Sequence, residues 1–124
     1  IIQDDITASN LTTNSFEVVA FFENGLGNLI DPIARHKAIG EMIRLTIPGG
    51  RILLGLRSLG EKSADHLMPA SMAPIFLGLY HTFSKSEIRD VVQNFSNVEV
   101  EDCIDGDERP AGGRQIFFIL RKLK

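Results

Sequence analysis

The chain has 124 residues, 44% hydrophobic and 23% charged, proportions that fit one globular domain able to bury a core without covalent staples. A formal charge of −3 argues against a nucleic-acid binder, and the single cysteine, Cys103, rules out an internal disulfide and points to the cytoplasm as compartment. With only three histidines no zinc-ligand cluster forms, and no apolar run approaches the ~18 residues of a membrane span.

Ile1-Ile2-Gln3 reads as the tail of a strand already under way, so a processed chain or a piece of a longer one is expected. Residues 16–22 form an apolar, β-branched and aromatic run between Asn14-Ser15 and Asn24-Gly25, which predicts a strand covered on both faces. Asp31 as N-cap, Pro32 at the first helical position and Gly49 beyond the end punctuate a helix. Ala34, Ala38, Ile39, Met42 and Ile43 share one face of it, while Arg35, Lys37, Glu41 and Arg44 take the other. Residues 51–56 form a second apolar strand, and strand–helix–strand predicts a parallel, right-handed βαβ unit.

Residues 57–83 change character. A polar, glycine-bearing stretch to His66 gives way to an apolar one broken by Pro69, Pro74 and Gly78, which predicts a loop with one or two helical turns lying over a pocket or a partner. Ser84-Lys85-Ser86-Glu87 is a capping box, and Ile88, Val91, Val92 and Phe95 follow at helical spacing. Val98-Glu99-Val100-Glu101 alternates and predicts a half-exposed strand to Ile104, residues 105–113 a turn, and residues 115–120 the final strand. The whole is an α/β sheet closed by an antiparallel hairpin.

Generic signals for chemistry are weak. Gly25-Leu26-Gly27 follows a strand, but the third position of a dinucleotide fingerprint falls on Ile30. His36 lies on the polar helix face and reads as solvated, Cys103 reads as a small hydrophobe, and Asp102, Asp105, Asp107 and Glu108 lack the spacing of a calcium loop. No metal site is expected, and no catalytic residue can be named from these signals.

Taken in order, three segments resemble the second half of a class I S-adenosylmethionine-dependent methyltransferase. They are Gln3-Asp4-Asp5-Ile6-Thr7, then Asn14-Ser15-Phe16-Glu17-Val18-Val19, then Arg44-Leu45-Thr46-Ile47-Pro48-Gly49-Gly50-Arg51-Ile52-Leu53-Leu54, whose Pro-Gly-Gly turn before an apolar strand is the most specific piece. The stretch Glu23 to Leu29 is similar to small-molecule methyltransferases related to the glycine N-methyltransferase group. The resemblance covers nearly the whole chain and implies a partial Rossmann-like methyltransferase sheet, with parallel strands and a C-terminal antiparallel hairpin. It further implies that 115–121 inserts antiparallel between 51–56 and 98–104.

The resemblance also implies S-adenosylmethionine as cofactor and a small-molecule methyl acceptor. Asp5 and Ile6 correspond to the pair that reads the adenine edge, and Phe22, Glu23 and Asn24 to the contacts with the methionine part, although Glu23 stands where a small residue is usual. Residues 57–83 leave the carboxyl end of a parallel strand, where ligands sit in open α/β sheets, and are expected to form a substrate-side cap. Tyr80 and His81 are expected to serve there as hydrogen-bond partner or base, with Asn28 facing them. The family's glycine-rich cofactor loop and ribose-binding acid have no counterpart, so residues 1–124 are expected to be the C-terminal half of a domain, inactive alone. Without the missing strands, 16–22 would be an uncovered apolar edge, a route to self-association. The competing reading is a non-catalytic methyltransferase-like α/β module that binds a protein partner through that edge. A flavodoxin-like or receiver domain is disfavoured, because its acid, threonine and lysine are not arranged here.

Overall fold

The computed structural model describes residues 6–22, 25–60, 63–67, 79–108 and 113–124. In chain order these form β1 (Phe16–Phe21), a 3₁₀ turn (Gly25–Asn28), α1 (Pro32–Leu45), β2 (Thr46–Ser58), β3 (Ala64–Leu67), β4 (Leu79–Thr82), α2 (Lys85–Gln93), β5 (Val98–Glu108) and β6 (Arg114–Lys122). The main sheet has the order β1-β2-β6-β5, and β3 pairs with β4 in a separate hairpin. β1 runs parallel to β2, while β6 is antiparallel to both β2 and β5. The last strand is thus inserted where the resemblance requires it.

The core lies on one face of this sheet. Ile52, Leu54 and Leu56 of β2 and Ile116, Phe118 and Leu120 of β6 are buried with Ala38, Ile39, Met42 and Ile43 of α1 and Ile88 and Val92 of α2. These are alternate strand positions and i, i+3/i+4 helix positions, as the periodicity predicts. The other face is only half covered: Leu53, Phe117 and Ile119 are half-buried, and Ala20, in register with Leu53, is exposed. β1 is the outermost strand of the four, with Val18 53% and Phe16 40% exposed. The expectation that 16–22 is covered on both faces does not hold in this chain.

Several boundaries move for identifiable reasons. Asp31 caps α1 as expected, accepting from the Ile33 amide at 2.9 Å, but the helix stops at Leu45 rather than before Gly49. Thr46 is already extended and its hydroxyl donates to the Met42 carbonyl at 2.7 Å, while the Asn14 and Ser15 amides take the carbonyls of Arg44 and Leu45. Pro48 has no amide with which to continue the helix. Thr46 to Gly50 therefore opens β2, and Gly49 adopts φ +82° inside the strand. A Cβ on Gly50 would lie 2.6 Å from Thr46 Cγ2 and 2.7 Å from the Glu17 carbonyl, so the Pro-Gly-Gly motif is a steric requirement of β1–β2 pairing. The described parts of 57–83 are strands, not helical turns, and β5 continues through a bulge to Glu108 where a turn is predicted. His36, read as solvated, stacks on Phe95 with ring centroids 4.6 Å apart.

Candidate cofactor and acceptor site

The parallel strands β1 and β2 bring their carboxyl ends to one side of the sheet, and the chain elements that follow them gather there. Phe22 follows β1 and is 49% exposed. A Cβ on Gly55 would meet its Cδ1 at 3.1 Å and its Cα at 3.2 Å, so the missing side chain is what lets the two strand ends approach. The 3₁₀ turn then buries Leu26 in the core. β4 packs against this turn and against β2, and the Phe83 amide donates to the Arg57 carbonyl at 2.9 Å. The β3–β4 hairpin is thereby fixed over the carboxyl ends of the sheet.

At its base a linked set of charges joins four elements. His81 on β4 is 7% exposed, with Nδ1 2.6 Å from Asp65 Oδ1 on β3 and Nε2 2.8 and 2.9 Å from the two carboxylate oxygens of Glu87 on α2. Arg35 of α1 lies 3.8 Å from Glu87 Oε2, and its Nη1 donates to the carbonyls of Leu29 and Ile30 at 2.8 Å each. Phe83 packs beneath, edge-on to the imidazole, with the Arg35 guanidinium 5.7 Å from its ring centre. Only an imidazolium has two N–H donors, so both carboxylate contacts are hydrogen bonds at once when the ring carries its second proton. No group of three or more His, Cys, Asp or Glu among the described residues has an arrangement that could hold a metal ion.

The capping box has been divided. Ser84 accepts from the Glu87 amide at 3.2 Å, but Glu87 does not return the bond; the Ser84 amide donates instead to Ser63 Oγ at 3.1 Å, which leaves the Glu87 carboxylate to His81. Asp65 and Arg35 are absent from the residues that the sequence marks out. Arg35 was assigned to the polar helix face, yet it is buried, and the signal that could have found it is its place one turn into a helix whose preceding loop offers free carbonyls. Of the expected cofactor residues, Ile6 is half-buried against the core and Phe22 stands at the strand end, while Asp5, Glu23 and Asn24 lie outside the described residues. Asn28 ends the 3₁₀ turn and Tyr80 pairs with His66 through the hairpin backbone; their side chains are outside what is described.

A second concavity, about 900 Å³, opens between the end of β2, the start of α2 and the β5–β6 pair. Of its cations, Lys85 lies 2.8 Å from Asp105 and Arg114 3.4 Å from Glu108, while the Arg89 guanidinium lies 5.8 Å from the Phe118 ring centre. The Lys85 ammonium holds the Asp105 carboxyl below the usual carboxylate range.

No family model and no curated protein matches this sequence. Solved structures do. The chain superposes with a TM-score of 0.77 and 15% identity on the 1,6-didemethyltoxoflavin N1-methyltransferase of Burkholderia thailandensis, solved with 1,6-didemethyltoxoflavin and S-adenosylhomocysteine, covering 96% of this chain and 48% of that one. The fold is that of the S-adenosylmethionine-dependent methyltransferases. One from Methanosarcina mazei matches with a TM-score of 0.73 and 17% identity, covering 97% of this chain and 65% of that one. The N-methyltransferase NodS of Bradyrhizobium japonicum, solved with S-adenosylhomocysteine, matches at 0.65 and 15%, with 98% and 53% covered. The chain thus spans between about half and just under two-thirds of the methyltransferases it matches. No described helix is long and apolar enough to cross a membrane.

Proposed function

We propose that this chain is the carboxyl-terminal half of an S-adenosylmethionine-dependent methyltransferase that acts on a small-molecule acceptor in the cytoplasm. The observation that carries the reading is the strand order β1-β2-β6-β5, with β6 antiparallel between two strands that run the same way. Asp5 and the Ile6 amide would read the adenine edge, and Phe22, Glu23 and Asn24 would border the methionine part. The described residues fit one wall of such a pocket, because Phe22, packed close over Gly55, exposes an aromatic surface at the strand end. When bound, the cofactor supplies an electrophilic sulfonium methyl group. The protein's part is to hold and orient the acceptor and to exclude water, which suits a displacement that needs no covalent help. Residues 57–83 form the acceptor side, with Asn28, Tyr80 and His81 around it.

Calorimetry tests this. The 124-residue chain should bind S-adenosylmethionine weakly or not at all, and a polypeptide that adds the amino-terminal half should bind it. In that longer protein Asp5→Ala should weaken binding by roughly 1–3 kcal/mol, the cost of an unmatched donor. If the completed protein fails to bind the cofactor, the proposal is wrong.

The exposure of Phe16, Val18 and Phe22 on the outermost strand favours a second reading, a non-catalytic module whose edge takes a protein partner or a second copy of itself. A completed protein that binds no cofactor but forms dimers through β1 would establish it.

A further inference from the structure

Resting on the methyltransferase reading above, we infer that Asp65, His81 and Glu87 form a proton relay serving an ammonium acceptor, with Asp65 as the member that touches the substrate. The imidazole is buried between two more exposed carboxylates, of which Asp65 is the outer. Asp65 is 49% exposed, His81 9%, and Glu87 22% but turned toward His81 and Arg35. The inner end is rigid, since Glu87 straddles Nε2, Arg35 stands behind it, and Arg35 is itself fixed by two backbone carbonyls. Phe83 sets the ring plane from below. With Nε2 engaged by Glu87, exchange takes place at Nδ1, which lies 2.6 Å from Asp65 Oδ1, a separation that one shared proton bridges when the relay is loaded. This is the arrangement in which one carboxylate orients an imidazole for proton transfer at its other nitrogen.

The relay also lies where an acceptor would be. β4 packs on the 3₁₀ turn that follows β1, and Phe83 is tied to the end of β2, so the hairpin that carries Asp65 lies at the carboxyl ends of the parallel strands, where ligands sit in open α/β sheets. Among the described residues, the charged groups facing the imidazole are Asp65 from β3 and Glu87 from α2, with Arg35 of α1 behind Glu87. The outermost is a carboxylate, which attracts a cation over a neutral hydroxyl.

An alkylammonium is protonated at neutral pH and has no lone pair to donate. With the ring neutral, Nε2 protonated and Nδ1 carrying its lone pair, Asp65 takes one N–H proton and passes it to Nδ1, so that the ring becomes an imidazolium held between the two carboxylates. The freed amine lone pair then forms a C–N bond to the sulfonium methyl carbon as the C–S bond breaks, and that bond's electron pair stays on sulfur as a thioether. The proton leaves the relay for water when product departs, one proton per methyl transferred.

The test uses the 124-residue chain with ¹⁵N-labelled histidine and ¹³C-labelled aspartate, followed by NMR. Ethylammonium chloride should shift the His81 Nδ1 and Asp65 carboxyl signals saturably, and neither ethanol nor sodium chloride at the same ionic strength should do so. Nε2 should remain protonated throughout. Asp65→Asn should weaken the ammonium response by about tenfold or more, the scale of one lost charge-assisted hydrogen bond. Glu87→Gln, which keeps Asp65 intact, should retain the Asp65 response and release Nε2. An equal response to sodium or ethanol, no saturable response, a response unchanged in Asp65→Asn, or a neutral ring protonated at Nδ1 each overturns the inference. If Asp65→Asn does not fold, the comparison of ammonium with sodium and ethanol on the unaltered chain decides. Cofactor binding is measured separately by calorimetry on the completed protein, so the relay and the methyltransferase reading can fail independently.

Discussion

Glu87 turns away from the helix it opens and clasps His81, its two carboxylate oxygens 2.8 and 2.9 Å from Nε2. One bond couples the first turn of α2 to the β3–β4 hairpin, and through Arg35 it reaches α1 as well. The clasp adds to the Phe83–Arg57 backbone bond and to the packing of β4 on the 3₁₀ turn in holding a hairpin whose own pairing, among the described residues, runs over only four residues a side.

Removing the clasp should therefore loosen more than a helix cap. Glu87→Gln is expected to cost about 1–3 kcal/mol, since it leaves a buried imidazole with a weaker partner. Ser84→Ala, which removes the cap together with the hydroxyl contacts to Ser63 and Ser86, should cost about 1 kcal/mol. Urea unfolding measures both. A double-mutant cycle of Glu87→Gln with His81→Asn should show a coupling of at least about 0.5 kcal/mol; additive losses would mean that the two residues act separately.

Gly50→Ala tests the reason for the Pro-Gly-Gly motif. The new Cβ would press on the Glu17 and Ile47 carbonyls at 2.7 and 2.9 Å, backbone atoms that cannot swing aside. A loss of about 1–3 kcal/mol is expected by urea unfolding, the range for overpacking a close contact. Gly40→Ala, whose Cβ would meet only the Phe95 ring at 3.4 Å, should be far milder.

Lys122 predicts a pH dependence. Its side chain is buried, with Nζ donating to Asn14 Oδ1 at 2.7 Å and to the Thr46 carbonyl at 2.8 Å, and burial lowers its pKa from 10.5. Below the folded-state value both folded and unfolded chains hold the proton, and the cost of burying the charge is fully felt. Between that value and 10.5 the unfolded chain holds more protons, so stability should rise with pH across this interval. The stability difference between the natural chain and Lys122→Met, followed by urea unfolding from pH ~7 to ~10, should grow in favour of the natural chain. A flat difference would show that the two oxygen acceptors outweigh burial.

The open edge makes its own prediction. If a second copy covers β1, light scattering should show mass rising with concentration, and Val18→Lys should return the chain to monomer, lysine being a usual guard of edge strands. Val18 is 53% exposed, so the substitution should change stability by no more than about 0.5 kcal/mol. A natural chain that is monomeric at every concentration removes the second copy as occupant.

What the sequence determined alone was carried by short separations, although β3, β4 and the far end of β5 escaped it. The apolar period of α1 and α2, the caps at Asp31 and Ser84, and the apolar runs of β1, β2 and β6 each report a local conformational preference, and each appears in the structure, whereas the Pro-Gly-Gly segment is strand rather than turn. The inserted last strand was legible only through resemblance to a family, since strand order leaves no local trace. Tertiary structure decided the rest. Helix α1 was stopped at Leu45 by amides from residues 14 and 15, about thirty positions away. Lys122 was buried by Asn14, 108 positions distant, and Glu87 was drawn from its cap by a histidine held on a neighbouring strand. A polar side chain has several partners of similar strength within reach, and the one it takes is set by which elements the core brings beside it.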